Sequence, residues 1–418
     1  MSEADDDLLA QLDAAVRDYR NDTFCLCTDL KHLDRVRRVQ APEAMVLYCG
    51  RILEVLSGGA LVAIGLAPSQ PFANLSDLER MNLIPQVTLF LAHGLRRVAN
   101  SARHVNYPLT PHEADVVLIY LERWLHWYFC SYKFGPRRTT LALGSDSLHL
   151  SPEAELRQFV IQLEAPDLDK AKLQSLVESD GKIWQHSSSV AAILAEVLIE
   201  SGEYPLATTV LDSALQTFPN ELRLTQLQAL WFSRNKKPEE AVRLLKDSAE
   251  DEETLGILGG ALKRLWDRDQ KRTYLEQCYN TYRKGWERSK GTSVYLGINA
   301  ATTAFWLKRP QKVIDIARQI AELLEKREAA IAALHGEIRL GFWDEVTLAE
   351  ARLLLGELAA ARKTYDAAFT HHPEKVENIK IAKEQAEKIL VEQGQSIEEA
   401  ASFFAGSPPQ TAMAHPAL

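Results

Sequence analysis

Apolar residues recur along this chain with helical spacing, and no stretch of any length alternates apolar and polar residues as a half-buried strand does. Residues 5–20 read as a short helix. Asp5, Asp6 and Asp7 complement its dipole, and Leu8, Leu9, Leu12, Ala15, Val16 and Tyr19 follow. Residues 21–40 carry no clear period. Pro42 opens the next helix, through Met45, Val46, Cys49, Ile52, Leu53 and Leu56, and Ser57-Gly58-Gly59 is expected to interrupt it. Residues 66–73, with two prolines, read as loop, and Asn74 or Ser76 as the cap of a short helix. A longer helix spans about Ile84 to His104. Residues 105–111 then turn the chain, and Thr110, Pro111 and Glu113 outline a capping box for the helix that follows. That helix carries Trp124, Trp127, Tyr128 and Phe129, and the short turn makes helix 84–104 its antiparallel partner. Aromatics at this spacing read as core or interface, and the alternative is a platform for stacking RNA bases.

Residues 134–150, with Gly135-Pro136 and Gly144, read as a domain boundary, and a repeat begins beyond it. Ala195, Ala207, Ala214 and Pro219 stand at offsets of 12, 7 and 5 residues. A shift of 34 places Ala229, Ala241 and the small Ser248 on the same template, and Ala349, Ala361, Ala368 and Pro373 fit it again. Leu194, Leu198 and Leu211 map onto Gln228, Phe232 and Leu245, and Tyr365 takes the Leu211 position. These are the offsets of tetratricopeptide repeats, helical hairpins with small residues where the helices cross. Residues 251–338 are helical but depart from the clean repeat. The fold expected is all-α: a helical bundle over 1–140, a tetratricopeptide-like α-solenoid over 150–395, and a disordered tail over 405–418, where Pro408, Pro409 and Pro416 fall.

A chain of 418 residues exceeds one ordinary core, consistent with two parts. The net charge of −9 argues against a dedicated duplex-DNA binder, although Arg96, Arg97 and Arg103 form a local basic patch. The five cysteines are odd in number, and only Cys25 and Cys27 are close, so reduced thiols and no zinc site are expected. The acidic N-terminus lacks an apolar signal region, and the apolar run Leu53–Leu66, with Glu54 and three glycines, is shorter than a membrane span. A cytoplasmic protein without a membrane segment, cofactor or metal follows. His371-His372 lacks a third ligand nearby, and Lys308–Lys312 reads as a solvated turn.

The polar residues that stand out lie near the end of helix 84–104. Arg97, Asn100 and His104 fall at i, i+3 and i+7 on one face, with His93 and Arg96 on a flanking, solvated face. An imidazole can move protons near neutral pH, and a guanidinium can hold a phosphate in a bidentate fork. The same residues near a helix C-terminus would also complement its dipole and cap carbonyls.

Two resemblances add to this reading. Glu253-Thr-Leu-Gly256, Gly297-Ile-Asn-Ala-Ala301 and Trp343-Asp344 make residues 190–375 similar to the TRAF-binding, tetratricopeptide-type regulatory region of stress-activated MAP kinase kinase kinases and its bacterial relatives. That implies a solenoid used for protein contact and regulation. No kinase motif occurs here, so a TRAF partner does not carry over. Residues 41–133 resemble the HEPN superfamily of helical bundles through Arg97-x-x-Asn100-x-x-x-His104, although Val98 stands where the family usually has a polar residue. The resemblance implies a homodimer whose paired Arg97 and His104, with Asn100, cleave RNA without metal. The function expected is a bacterial conflict or stress protein, antiviral in kind. Its solenoid docks or senses a protein partner and its dimeric bundle cleaves or binds RNA. The alternative is a non-catalytic scaffold, adaptor or sensor subunit.

Overall fold

A computed structural model describes residues 26–103, 109–135, 154–165, 167–179, 183–248, 250–335 and 339–404. The described residues form nineteen α-helices and no strand. The chain divides into two compact units, Met1–Ser248 and Ala249–Leu418. The expected helix over 5–20, residues 104–108, most of the expected boundary (136–153), Cys25 and the tail 405–418 lie outside the described residues.

In the first unit, α1 (Leu26–Arg38), α3 (Pro71–Arg80), α4 (Gln86–Ser101) and α5 (Pro111–His126) pack around α2 (Pro42–Val62). Helix α2 runs unbroken through Ser57-Gly58-Gly59, against expectation. Burial explains this: Ser57 is enclosed and donates to the Glu54 carbonyl at 3.0 Å, and the hydroxyl of Tyr128 fills the space beside Gly59. Helix α2 is long and apolar enough to cross a membrane, but most of it is buried as the bundle's core. The aromatic run beyond α5 tightens into a π-helical turn, Trp127–Ser131, and its rings pack inside, with Tyr132 donating to the Ala60 carbonyl at 2.7 Å. These rings are core, not a platform for RNA bases.

Helix α3 starts at Pro71, three residues earlier than expected. Asn74 is buried within it, where its side chain accepts from the Ser69 amide at 2.7 Å. At α5, Thr110 accepts from the Glu113 amide at 3.1 Å as predicted, but the Glu113 carboxylate does not complete a box. It accepts from the Ser188 amide at 3.1 Å and so caps α8 (Ser188–Glu200), far along the chain. Helix α6 (Ala154–Leu163) is tied to α5 by an exchange of charge, Glu122 with Arg157 and Arg123 with Glu164. Helix α7 (Lys170–Glu178) and a 3-10 turn at 183–185 lead to two hairpins, α8/α9 (Tyr204–Thr217) and α10 (Leu222–Arg234)/α11 (Pro238–Leu245).

The second unit is four hairpins: α12 (Glu252–Asp269) with α13 (Arg272–Arg288), α14 (Val294–Trp306) with α15 (Pro310–Leu334), α16 (Phe342–Leu354) with α17 (Leu358–His371), and α18 (Val376–Glu392) with α19 (Ile397–Ser402). The repeat alanines of both units, including Ala195, Ala229, Ala241, Ala349 and Ala368, are buried. Ser248 departs from the template, because it lies beyond the short α11. The loss of the clean pattern over 251–338 has a packing cause. Gly259 takes the Tyr282 ring, and Gly297 takes Trp286, with an added Cβ falling 2.7 and 2.6 Å from those rings. Gly259 stands where the repeat has alanine, whereas Gly297 lies one turn before the retained Ala301.

Each of these hairpins turns through at least one left-handed residue; two examples are Gly356 (φ +80°) and Lys308 (φ +58°). Nothing lies within 4 Å of a Cβ added at Gly356, so Gly356→Ala tests the backbone alone. It is expected to cost about 1–2 kcal/mol in a denaturant titration.

Candidate functional site

Arg97 and Asn100 stand in different surroundings. Arg97, from α4, approaches Glu196 of α8 at 3.7 Å, and Arg223 of α10 pairs with the same carboxylate. Glu196 is only 7% exposed. Asn100 faces solvent one turn further on, and His104 lies outside the described residues. The local basic patch also disperses. The Arg96 guanidinium lies 4.9 Å from the Phe72 ring centre and donates to His93 Nδ1 at 3.4 Å, while Arg103 is exposed. His93 is buried beside Phe72 rather than solvated, contrary to the sequence reading. The stripe expected to hold a phosphate is therefore, at Arg97, a junction between the N-terminal helices and the first hairpins.

Cys49, Cys130 and Cys278 are not joined in disulfides. Burial raises each above the usual thiol range, Cys278 to about 12, so they are protonated and unreactive at neutral pH. His371 and His372 both turn to one buried carboxylate, Glu345, at 2.8 and 3.7 Å. Among the described residues no group of three potential ligands could hold a metal ion.

The arrangement that sequence reasoning missed lies on the first helices of the second unit's hairpins. Tyr295, Asn299, Thr302 and Trp306 stand at i, i+4, i+7 and i+11 on α14, which aligns them on one face. Trp343, Thr347, Glu350 and Leu354 repeat that spacing on α16. The third positions touch, since Thr302 donates to Glu350, and that contact sets the two stripes in register. At the first positions Tyr295 is 47% and Trp343 41% exposed, unusual for rings of this size in a packed unit.

Deeper on the same helices, four polar side chains close into a knot, one from each first helix: Lys263, Thr302, Glu350 and Gln385. Gln385 donates to Glu350 at 3.3 Å, and Lys263 donates to Gln385 at 3.4 Å while lying 5.3 Å from the Trp306 ring centre. Trp266 leans on Trp306 with centroids 4.6 Å apart. The quoted motif residues divide between roles. Asp344 is buried against Arg327 at 3.1 Å, while its neighbour Trp343 is exposed at the head of its stripe. The signal for this face was in the sequence, as the shared i, i+4, i+7, i+11 spacing counted from Tyr295 and Trp343.

Burial holds the Glu350 carboxyl above the usual carboxylate range, against the lowering effect of Thr302, Lys263 and Gln385. A carboxyl raised in the folded state stabilises the fold fully below its unfolded value, and loses that contribution as pH rises through the folded value. Glu350→Gln removes the titration and keeps the shape. The wild type is expected to lose stability relative to Glu350→Gln as pH rises above the ordinary carboxylate range, read by urea denaturation of both proteins at each pH.

Helical hairpins with small residues where the helices cross define an all-α fold with tetratricopeptide-like repeats. Residues 203–304 match the family model of Tetratricopeptide Repeats-Sensor, from α9 through most of α14, a stretch that includes Lys263, Tyr295, Asn299 and Thr302. Among solved structures the chain is similar to a thermophilic tetratricopeptide-repeat protein of Thermus thermophilus. That chain is 18% identical, with a TM-score of 0.36 over 48% of this chain and 98% of that one. No curated protein matches.

Proposed function

We propose that this chain is a scaffold or sensor subunit that captures a protein partner on the face led by Tyr295 and Trp343. Repeat regions of this type serve protein contact or sensing, and stacked repeats present extended binding surfaces. The observation that carries the reading is the matched spacing of the stripes on α14 and α16, held in register by Thr302 and Glu350, with an exposed aromatic leading each. Aromatic side chains anchor interfaces because they bury a large area at low entropy cost. The fixed polar groups beneath them, Asn299 and Thr347, keep the face from being a mere apolar patch.

A photo-crosslinking residue placed at Asn299 in the native cell tests this. The expected product is a discrete covalent adduct with one protein. Adducts no different from those obtained at an exposed control position such as Lys246 would reject the proposal.

RNA cleavage by a homodimer is the weaker reading. Its phosphate-holding residue lies near Glu196, and its polar neighbour Asn100 is exposed. It makes its own prediction: His104→Ala abolishes cleavage of a mixed RNA pool by the purified chain. An intact RNA pool with the wild-type chain removes this reading.

A further inference from the structure

The first unit contains a cavity of about 400 Å³, between the first turn of α4 and the last turns of α5 and α8. Small-molecule sites typically span about 300–1,000 Å³. Phe90, Trp127 and Leu163 give it an apolar wall.

Its charges cancel in place. Arg123 pairs with Glu164, which also accepts from the Thr88 hydroxyl at 2.8 Å. Glu200, on the opposite side, pairs with Arg234 at 2.8 Å. His126 also lines the cavity, half-buried. Burial and the neighbouring Arg123 hold its imidazole below the usual range, so it is neutral at pH 7 and presents one donor and one acceptor. Hydroxyls of Ser131 and Ser201 stand at the exposed rim. An ionic ligand entering here would give up hydration and find no uncommitted opposite charge. A neutral ligand faces no such cost; the apolar wall complements an aromatic ring, and the imidazole can make one hydrogen bond to a polar group on it.

We propose that this cavity binds an uncharged aromatic molecule carrying a neutral hydrogen-bonding group, as an aryl carboxamide does. The site is independent of the partner face on α14 and α16.

Three isosteric probes separate the charge states: benzamide, benzoate and benzamidine, each titrated against the full chain at pH 7.5 by ligand-observed NMR. Benzamide is expected to bind at least about tenfold more tightly than either ion. Ser201→Trp and Ser131→Trp, both at exposed positions, are expected to fill the mouth and abolish the signal while the melting temperature stays unchanged. Absence of benzamide binding, equal or tighter binding of an ion, or retention of binding in both filled variants overturns the proposal. The Tyr295→Ala/Trp343→Ala variant is expected to bind benzamide as the wild type does.

Discussion

Glu196→Ala is expected to destabilise the first unit by about 3–5 kcal/mol. Glu196 bridges two arginines from different helices, Arg97 and Arg223, and all three side chains are largely removed from water. Deleting it leaves two guanidinium groups near each other in a poorly solvated site, where their repulsion is weakly screened. The comparison with Arg97→Ala makes the test specific. That variant leaves Glu196 paired with Arg223, so its cost should be smaller. Urea denaturation of both variants, with the double variant completing the cycle, gives the coupling directly. Were Glu196→Ala to cost under about 1 kcal/mol, the triad would have no structural role. If the cost is as large as expected, activity lost in Arg97→Ala must be read beside the stability measurement, because a destabilised unit loses function without any catalytic residue being removed.

Replacing Tyr295 and Trp343 together with alanine is expected to reduce crosslinking at position 299 by at least about 30-fold, the scale set by losing an aromatic hot spot of about 2 kcal/mol or more. The fold should tolerate the change. Both rings are more than two-fifths exposed, so much of their surface is already wet. Tyr295 does touch Tyr282, with ring centroids 6.2 Å apart, and packs over Gly256, so a loss of about 1 kcal/mol is allowed for. A control replacement on the outer helices, such as Lys284→Ala on α13, should leave the adduct intact. Equal crosslinking in the double variant and wild type would place the partner elsewhere.

The all-α class and the hairpin repeat were legible because alanine spacing reports the places where helices cross, and those positions are buried in the structure. Local signals were legible less evenly. Thr110 caps α5 as its sequence context dictates, but Glu113 leaves the local motif for an amide of α8, and no window around residue 113 contains that partner. Gly58 and Gly59 read as a break because propensity alone penalises them, whereas the packing of Tyr128 beside Gly59 makes the small residue favourable. Arg97 illustrates the same limit at the candidate site. Its type and spacing suit a phosphate, but its role is decided by Glu196, distant in sequence. The face on α14 and α16 went unread for another reason. Its residues are ordinary singly, and only the register contact between Thr302 and Glu350 shows that two distant helices repeat one pattern.

The Glu113 cap has a practical consequence for dissecting the chain. A fragment beginning near residue 150 looks like a complete solenoid in sequence, but it would start α8 without the carboxylate that meets the Ser188 amide. It would also uncover the side of α8 on which Gly94 approaches Ser189 and Ile193 to within 3.4 Å of an added Cβ. Such a fragment should be poorly soluble and expose apolar surface to a hydrophobic dye. A cut after residue 248 severs neither contact, and is the place to separate the first hairpins from those that carry the partner face.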